Sequence, residues 1–512
     1  MVTTRPRLLL VRALLALLAF ALAFAVLEVG ARVWLRGSTP VRMRDGIYLS
    51  RLPLVNGRRS WQVLPPLDGT PLPQDKAPGE LRIFTFGESS MVGAPWGFEA
   101  SPATMLHDAL AAALPERKVT VVNMGKTSSF LMDASYYVLA ARAYHPDVLV
   151  FYQGANDRAD LDAEMCMPER SPHLFGAWRW LVAHSQLVYA VRVLGPEQAS
   201  PVVPFLHPHA HMESKGIDLC PATSFGHWTD LVIAEGKAMG ARVVVVSPIR
   251  STLDGLDGDL AGSNRQLPPA QALAQASGLY RLLLSCVLTP GCDAPAIEAA
   301  AGLAQASHLD GLVACLRSPL LTVGMCLQSV RLPRPAPIMA ARGEMWRASA
   351  QRLGATFVDF RRMFTDLQPH GVMGPPLVVD EVHLSLEGYA LLAETMARAV
   401  DPSATARLPV ARYRRDIGDE GALRLGHALG QIGKRQFLVA ATLMDGPALA
   451  NPNSDAALLL GWMRLSLGLA SGLSPSREAL ARTIDLKAMQ QRALQASAAL
   501  QGRAGMARTW KH

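Results

Sequence analysis

The sequence predicts an α/β fold built on a parallel β-sheet, and three observations carry that prediction. Short apolar runs recur at Leu81–Phe86, Val119–Asn123, Val148–Tyr152 and Ala241–Val246. The first three run into Gly87, Gly125 and Gly154. Between the runs lie segments with apolar residues at helical spacing. Strands too apolar to alternate are buried on both faces, as happens when helices cover both sides of a parallel sheet.

Taken in order, Leu81–Phe86 is a strand, followed by a helix from Ala103 to Leu114 that stops at Pro115. Val119–Asn123 is the second strand, Ala134–Tyr144 the next helix, and Val148–Tyr152 the third strand. A helix from about Asp230 to Met239 precedes the strand Ala241–Val246. A helix from Ala341 to Leu353 precedes a short fifth strand at Phe357–Phe360, and Leu386–Val400 closes the α/β part as an amphipathic helix. In such sheets ligands sit at the carboxyl ends of the strands, where the three glycines fall.

Two insertions interrupt the alternation. Residues 159–227 include an aromatic, helical stretch from Trp178 to Leu194, and residues 251–334 are largely helical. Each serves either as a substrate wall or lid, or as a structural cap. Residues 36–80 are rich in Pro, Gly and Arg without a sustained period and read as a linker. Residues 402–512 are Ala/Leu-rich and helical, with no clean internal repeat.

Residues 1–35 read as a membrane segment. Arg5, Arg7 and Arg12 precede an apolar run from Ala13 to Leu27, extended to Leu8 if Arg12 snorkels. Basic residues on the N-terminal side place the rest of the chain outside the cytoplasm. The run is marginal in length, and small residues at Ala21, Ala23 and Ala25 leave both a retained anchor and a cleaved signal open. The expected location is therefore single-pass membrane-bound, facing the periplasm or exterior, or secreted. All six cysteines (166, 220, 286, 292, 315, 326) follow this segment, and an even number in an exported chain suggests disulfides. Pairing Cys166–Cys220, Cys286–Cys292 and Cys315–Cys326 closes the shortest loops. None forms a C-x-x-C pattern, which argues against zinc or dithiol redox chemistry.

The 512 residues are 50% hydrophobic and 18% charged, a globular balance that excludes disorder. The net charge of +8 comes without a dense basic run interleaved with aromatics, so nucleic acid is a poor partner. It fits a solvated basic surface, or attraction to an acidic glycan or anionic lipid.

Four segments carry chemistry. Gly87-Glu-Ser89-Ser-Met-Val-Gly93 follows the first strand and presents a serine on a strand-to-helix turn. Asn123-Met-Gly125 ends the second strand, where a glycine lets the backbone approach a substrate and offer an N–H. Gly154-Ala-Asn156-Asp157 ends the third, with an amide able to donate to developing negative charge. Asp380-Glu-Val-His383 precedes the last helix, where the carboxylate orients an imidazole that deprotonates a serine. Singly each is common; together their order, spacing and strand context are specific.

The set resembles the SGNH (GDSL-type) hydrolase family, whose four blocks contribute Ser, Gly, Asn and His. The counterparts are Ser89, Gly125, Asn156 and His383, with Asp380 matching the triad acid. The resemblance covers residues 81–401 outside the insertions. It implies a three-layer, flavodoxin-like α/β/α sheet and a serine esterase with the triad Ser89, His383 and Asp380. Its oxyanion hole is formed by the Ser89 and Gly125 N–H groups and the Asn156 side chain. Neither metal nor organic cofactor is implied. The chain departs from the family at Glu88, where Asp is usual, and the extra methylene bears on the turn that presents Ser89. Ser90 is out of register as a nucleophile, and Asp157 reads as a loop brace.

His207-Pro-His209-Ala-His211 has the alternation of a metal clamp but sits among prolines, and reads as an exposed loop. Trp178 and Trp180 either line an acyl or sugar pocket, or belong to a helix packed on the core or near the bilayer. The expected substrate is a short acyl ester, such as acetyl, on an envelope or extracellular glycan or lipid. Two other functions remain open: acyl transfer through the same triad, or glycan binding and scaffolding with the C-terminal helices docking a protein partner.

Overall fold

The computed structural model describes residues 5–35, 42–44, 47–49, 75–126, 129–157, 167–185, 187–188, 223–249, 267–274, 278–288, 294–306, 313, 316–317, 336–366, 377–379, 382–417, 420–433, 437–444, 451 and 453–493. The strands are β1 (Arg42–Arg44), β2 (Ile47–Leu49), β3 (Leu81–Gly87), β4 (Val119–Asn123), β5 (Val148–Tyr152), β6 (Arg242–Val246) and β7 (Thr356–Val358). The helices up to β6 are α1 (Arg5–Leu35), α2 (Ser89–Val92), α3 (Pro102–Ala113), α4 (Leu131–Ala141), α5 (Met167–Arg170), α6 (Pro172–His184) and α7 (Thr223–Ala238). Then follow α8 (Pro269–Ala274), α9 (Gly278–Leu288), α10 (Ala294–Ala306), α11 (Ala336–Leu353), α12 (Phe360–Asp366) and α13 (Leu386–Val400). The C-terminal helices are α14 (Val410–Asp416), α15 (Glu420–Gly433), α16 (Phe437–Met444), α17 (Asp455–Ser466) and α18 (Pro475–Arg482).

The seven strands form one sheet in the order β1-β2-β4-β3-β5-β6-β7. Every neighbouring pair is parallel except β1–β2. The run β4-β3-β5-β6-β7 has the 2-1-3-4-5 order of a flavodoxin-like sheet. Successive strand residues point to opposite faces, so the all-apolar strands supply two cores. Ile83, Val121, Val150 and Val244 face a core shared with α3 and α13. Phe84, Val122, Leu149, Phe151 and Val243 face a core shared with α4, α7 and α11. The result is a three-layer α/β/α fold.

The reading of residues 36–80 as linker needs correction, because β2 extends the sheet alongside β4, with Ile47 opposite Val121 and Leu49 opposite Asn123. β1 and β2 have three residues each, too short for a period-2 pattern to register. Between them lies Asp45-Gly46, a dipeptide favoured in two-residue hairpin turns and the one signal present.

The second insertion and the C-terminal region pack together. Arg281 donates to the Leu467 carbonyl at 3.1 Å, Arg464 to the Leu288 carbonyl at 2.6 Å, and the Leu438 N–H to the Tyr280 hydroxyl at 3.2 Å. Their apolar residues merge with the core on the α3/α13 face of the sheet, which favours the structural-cap reading of this insertion. Cys286 is buried there and disulfide-bonded. The other five cysteines, and with them the three pairings, lie outside the described residues.

α1 contains a 21-residue span, Val11–Ala31, long and apolar enough to cross a membrane. At 1.5 Å per residue it is about 32 Å long, against roughly 30 Å for a bilayer's hydrocarbon core. The span exceeds the marginal run anticipated because the helix continues through Glu28, which interrupts the apolar pattern.

Candidate active site

Two of the sequence-predicted residues, Ser89 and His383, meet at the carboxyl ends of the strands. β3 ends at Gly87 and Ser89 opens α2, so its hydroxyl stands at the rim of the sheet. The site lies beside the β3–β5 crevice, where the strand order reverses and ligands bind in open α/β sheets. His383 arrives from the far end of the fold, and its Nε2 lies 2.7 Å from Ser89 Oγ. That is the hydrogen-bond distance that a serine nucleophile and its base would need. Ser89 is buried and His383 half-buried, so the pair is shielded but reachable. Asp380 lies outside the described residues.

The His383 loop is pinned to the nucleophile turn at several points. Val378 and Leu384 form a β-bridge, and the Val379 N–H donates to the His383 carbonyl at 3.0 Å. The Ser90 hydroxyl donates to the Val382 carbonyl at 2.9 Å, and the Trp96 indole N–H to the Leu384 carbonyl at 2.9 Å. Ser90 therefore holds the histidine loop, which explains its place beside the nucleophile. Directly after the loop, Ser385 caps α13 by accepting the Gly388 N–H at 3.1 Å. These bonds fix where His383 leaves the backbone.

Glu88 closes the other side. Its carboxylate is buried, and Oε1 accepts the Gly154 and Asn156 N–H groups, both at 2.9 Å. It thus clips the turn after β3 to the turn after β5 across the crevice. Gly154 has φ +124°, a left-handed conformation that suits glycine, and a Cβ there would lie 3.0 Å from the Phe225 ring. Desolvation, with the Asp157 charge next, raises the Glu88 pKa to about 8. Asp157 is itself raised to about 7, chiefly by desolvation. Its Oδ1 accepts the Leu131 N–H at 2.8 Å, so it caps α4 and braces the loop, as the sequence suggests. Arg342 of α11, which donates to the Gly154 carbonyl at 2.6 Å, lowers both values by its positive charge.

The expected oxyanion donors differ from one another in state. The Ser89 N–H and the Asn156 side-chain amide have no hydrogen-bond partner among the described residues. The Gly125 N–H instead donates to Asn123 Oδ1 at 2.9 Å, while Asn123 Nδ2 donates to the Met91 carbonyl at 2.8 Å. The unobstructed N–H anticipated there is thus engaged, because Asn123 folds back two residues on, as Asn side chains do in turns. A Cβ on Gly125 would meet the Val92 N at 2.9 Å. Close approach to α2 is therefore what requires glycine here.

One neighbour was not visible in the sequence. His427 of α15 packs edge-to-face on His383, with ring centroids 5.5 Å apart and planes at 83°. Its Nε2 is 3.1 Å from Gln431 Nε2. The C-terminal helices thus reach the candidate base. An edge-to-face pair contributes about 1 kcal/mol, so loss of its hold on the His383 ring in the transition state would cost at most about fivefold in rate. His427→Ala is expected to lower kcat for a test ester about that much with little change in KM, and His427→Phe to restore most of it. Steady-state kinetics of both variants checks this.

No metal-binding group of three or more His, Cys, Asp or Glu occurs among the described residues, and His207, His209 and His211 lie outside them. Trp178 points inward, its indole N–H donating to the Tyr136 hydroxyl at 3.1 Å, whereas Trp180 is exposed.

No protein-family model matches the chain, and no curated protein matches it. Several solved structures are similar at low identity. The acetylxylan esterase Axe2 from Geobacillus stearothermophilus is 13% identical, with 62% of this chain and 94% of that chain covered and a TM-score of 0.31. The lipase/acylhydrolase from Enterococcus faecalis is 12% identical, with the same coverages and TM-score. LAE5, an α/β hydrolase enzyme from the metagenome of Lake Arreo, Spain, is 13% identical, with 63% and 95% covered and a TM-score of 0.30.

Proposed function

We propose that this protein is a membrane-anchored serine esterase of the SGNH type, working on the outer side of the membrane that α1 crosses. The observation that carries the reading is the 2.7 Å approach of His383 Nε2 to Ser89 Oγ at the carboxyl edge of the sheet. Support comes from the strand-end placement of Gly125 and Asn156 and from the order of the four blocks along the chain.

The chemistry follows from the positions. His383, with Asp380 assigned by its motif as the triad acid, accepts the Ser89 proton as Oγ bonds to the ester carbonyl carbon. The carbonyl oxygen becomes an oxyanion and takes hydrogen bonds from the Ser89 N–H and the Asn156 amide, each donor worth about 3 kcal/mol of barrier. Gly125 contributes a third donor if Asn123 releases its N–H. The bond to the alcohol oxygen then breaks, and His383 returns its proton to that oxygen. Water, deprotonated by the same imidazole, attacks the acyl-serine; the acyl–Oγ bond breaks as His383 returns that proton to Ser89 Oγ, and the acid is freed. The substrate is a short acyl ester, such as acetyl, on a glycan or lipid of the envelope.

The direct test is active-site labelling of the full chain with a fluorophosphonate, followed by peptide mass spectrometry. Phosphonylation confined to Ser89, and absent in Ser89→Ala, is the expected result. A folded chain that takes no label at Ser89 would overturn the reading.

A further inference from the structure

α6 has two contrasting faces. Inward, Phe175 meets Trp228 edge-to-face at 5.1 Å, and Val182 is buried in the core shared with α4 and α7. On the same side Arg179 donates to Ser135 Oγ at 3.1 Å, pairs with Glu235 at 2.5 Å, and lies over the Tyr136 ring. Outward, the exposed residues are Pro172, His173, Leu174, Gly176, Ala177, Trp180, Ala183 and His184. Leu174 is 52% and Trp180 62% exposed. That face carries no Asp, Glu, Lys or Arg, although a helix facing water usually shows charge there.

The end of α6 is tied to α1. Glu28 Oε2 accepts the Ser185 hydroxyl at 2.7 Å and the Leu187 N–H at 3.0 Å. Glu28 is in the last turn of the Val11–Ala31 span, on a face with Phe24 and Ala31, which are half-buried and buried. Other apolar residues of the span, such as Leu18, Phe20 and Leu22, are exposed. Glu28 lies three residues, about 4.5 Å, inside the end of the span, which is the level of the membrane–water boundary. Trp180 is five residues from Ser185, about 7.5 Å along α6. A helix running along the boundary from Ser185 keeps both Trp180 and Leu174 at headgroup level, a zone roughly 5–8 Å deep in each leaflet. Tryptophan is the side chain most at home there.

We infer that the outward face of α6 rests in the headgroup–acyl boundary of the bilayer that α1 crosses, with Trp180 and Leu174 as its inserted side chains. The inference rests on the reading of α1 as a retained span. Its partner is a lipid surface, recognised through apolar burial alone. Because the face carries no Lys or Arg, and its two histidines, His173 and His184, are its only ionisable side chains, its contact at neutral pH does not depend on anionic lipid, unlike that of Lys/Arg-rich amphipathic helices. The face would also hold the α/β part at a fixed attitude to the bilayer, since α6 packs on α4, whose first turn Asp157 caps beside Asn156.

The test uses the full chain in phosphatidylcholine vesicles whose acyl chains are brominated near the carbonyl, with tryptophan emission as the readout. The wild type, Trp180→Phe and Trp178→Phe are compared. The expected result is that the emission removed by Trp180→Phe is strongly quenched by brominated lipid, whereas that removed by Trp178→Phe is not. Adding phosphatidylglycerol leaves the quenching unchanged. Equal fractional quenching in the wild type and Trp180→Phe overturns the inference. If the Trp180 component then resists both brominated lipid and aqueous iodide, a second protein surface covers the face instead. Release of the chain by alkaline carbonate would overturn the anchor reading together with this one. Retention with unquenched Trp180 overturns only this one.

Discussion

His383→Ala is expected to lower kcat for a p-nitrophenyl ester by on the order of 10⁴- to 10⁶-fold, the range spanned when single members of a Ser-His-Asp triad are removed. The loss is large because, in the proposed mechanism, the imidazole 2.7 Å from Ser89 Oγ serves both as base for attack and as acid for departure of the alcohol. The fold should survive. The histidine loop is held by backbone and neighbouring side-chain bonds, from Ser90 to the Val382 carbonyl and Trp96 to the Leu384 carbonyl, which the variant retains. A thermal midpoint close to the wild type, beside kinetics with saturating ester, separates loss of chemistry from loss of structure. A decrease of less than tenfold in kcat would mean that another group takes the proton.

Glu88→Gln should change the pH dependence of both stability and rate. Burial raises the folded-state pKa of Glu88 to about 8, against 4.5 ordinarily, and that of Asp157 to about 7. A carboxyl with a raised folded pKa binds more protons folded than unfolded between those two values. Its contribution to stability is full below about pH 4.5 and is lost as pH rises through 7 to 8. Wild-type thermal stability is thus expected to fall across that window, and Glu88→Gln to flatten the fall. The glutamine oxygen can still accept the Gly154 and Asn156 N–H groups, so the clip is kept.

The same titration bears on catalysis. In the proposed mechanism the oxyanion forms near Asn156, whose N–H Glu88 holds, so a neutral Glu88 adds no negative charge there, whereas an ionised one opposes it. The wild-type kcat is expected to decline above about pH 8, as Glu88 ionises, and the Gln variant to hold its rate there. Glu88→Ala is the harsher change, because it leaves two donors facing a buried void at about 1–3 kcal/mol each. A pH–rate profile identical in wild type and Glu88→Gln would contradict this role.

How much of this was legible in the sequence depended on how local each feature is. β4 and β5 match their predicted bounds because each is a five-residue apolar run with a turn signal after it. α13 matches because its amphipathic pattern starts at a Ser cap. The helical stretch expected from Trp178 to Leu194 starts earlier, because α6 begins at Pro172, a residue tolerated in the first helical turn; residues 189–194 lie outside the described residues. α7 begins at Thr223, inside the expected first insertion, and carries Phe225 and Trp228 into the core. β7 was expected at Phe357–Phe360. It ends at Val358 because Phe360 already starts α12.

The site shows the same division. The Ser89–His383 contact was legible because each residue follows a strand or precedes a helix within a short motif. The Glu88 clip joins residues 66 and 68 apart, and no local pattern encodes it. His427 sits in a helical region without a repeat, and only the packing of α15 reveals its contact with His383. Asn123 was read as the start of the glycine block, but its side chain claims the Gly125 N–H, a detail of turn geometry.

The measurement that bears most directly on the central claim is hydrolysis of p-nitrophenyl acetate and butyrate by the full chain, compared with Ser89→Ala under the same conditions. Turnover by the wild type and a kcat lower by about 10⁴-fold or more in the variant is the result predicted. Equal turnover by the two proteins, or none by a folded wild type on either ester, would contradict Ser89 as the nucleophile of an esterase.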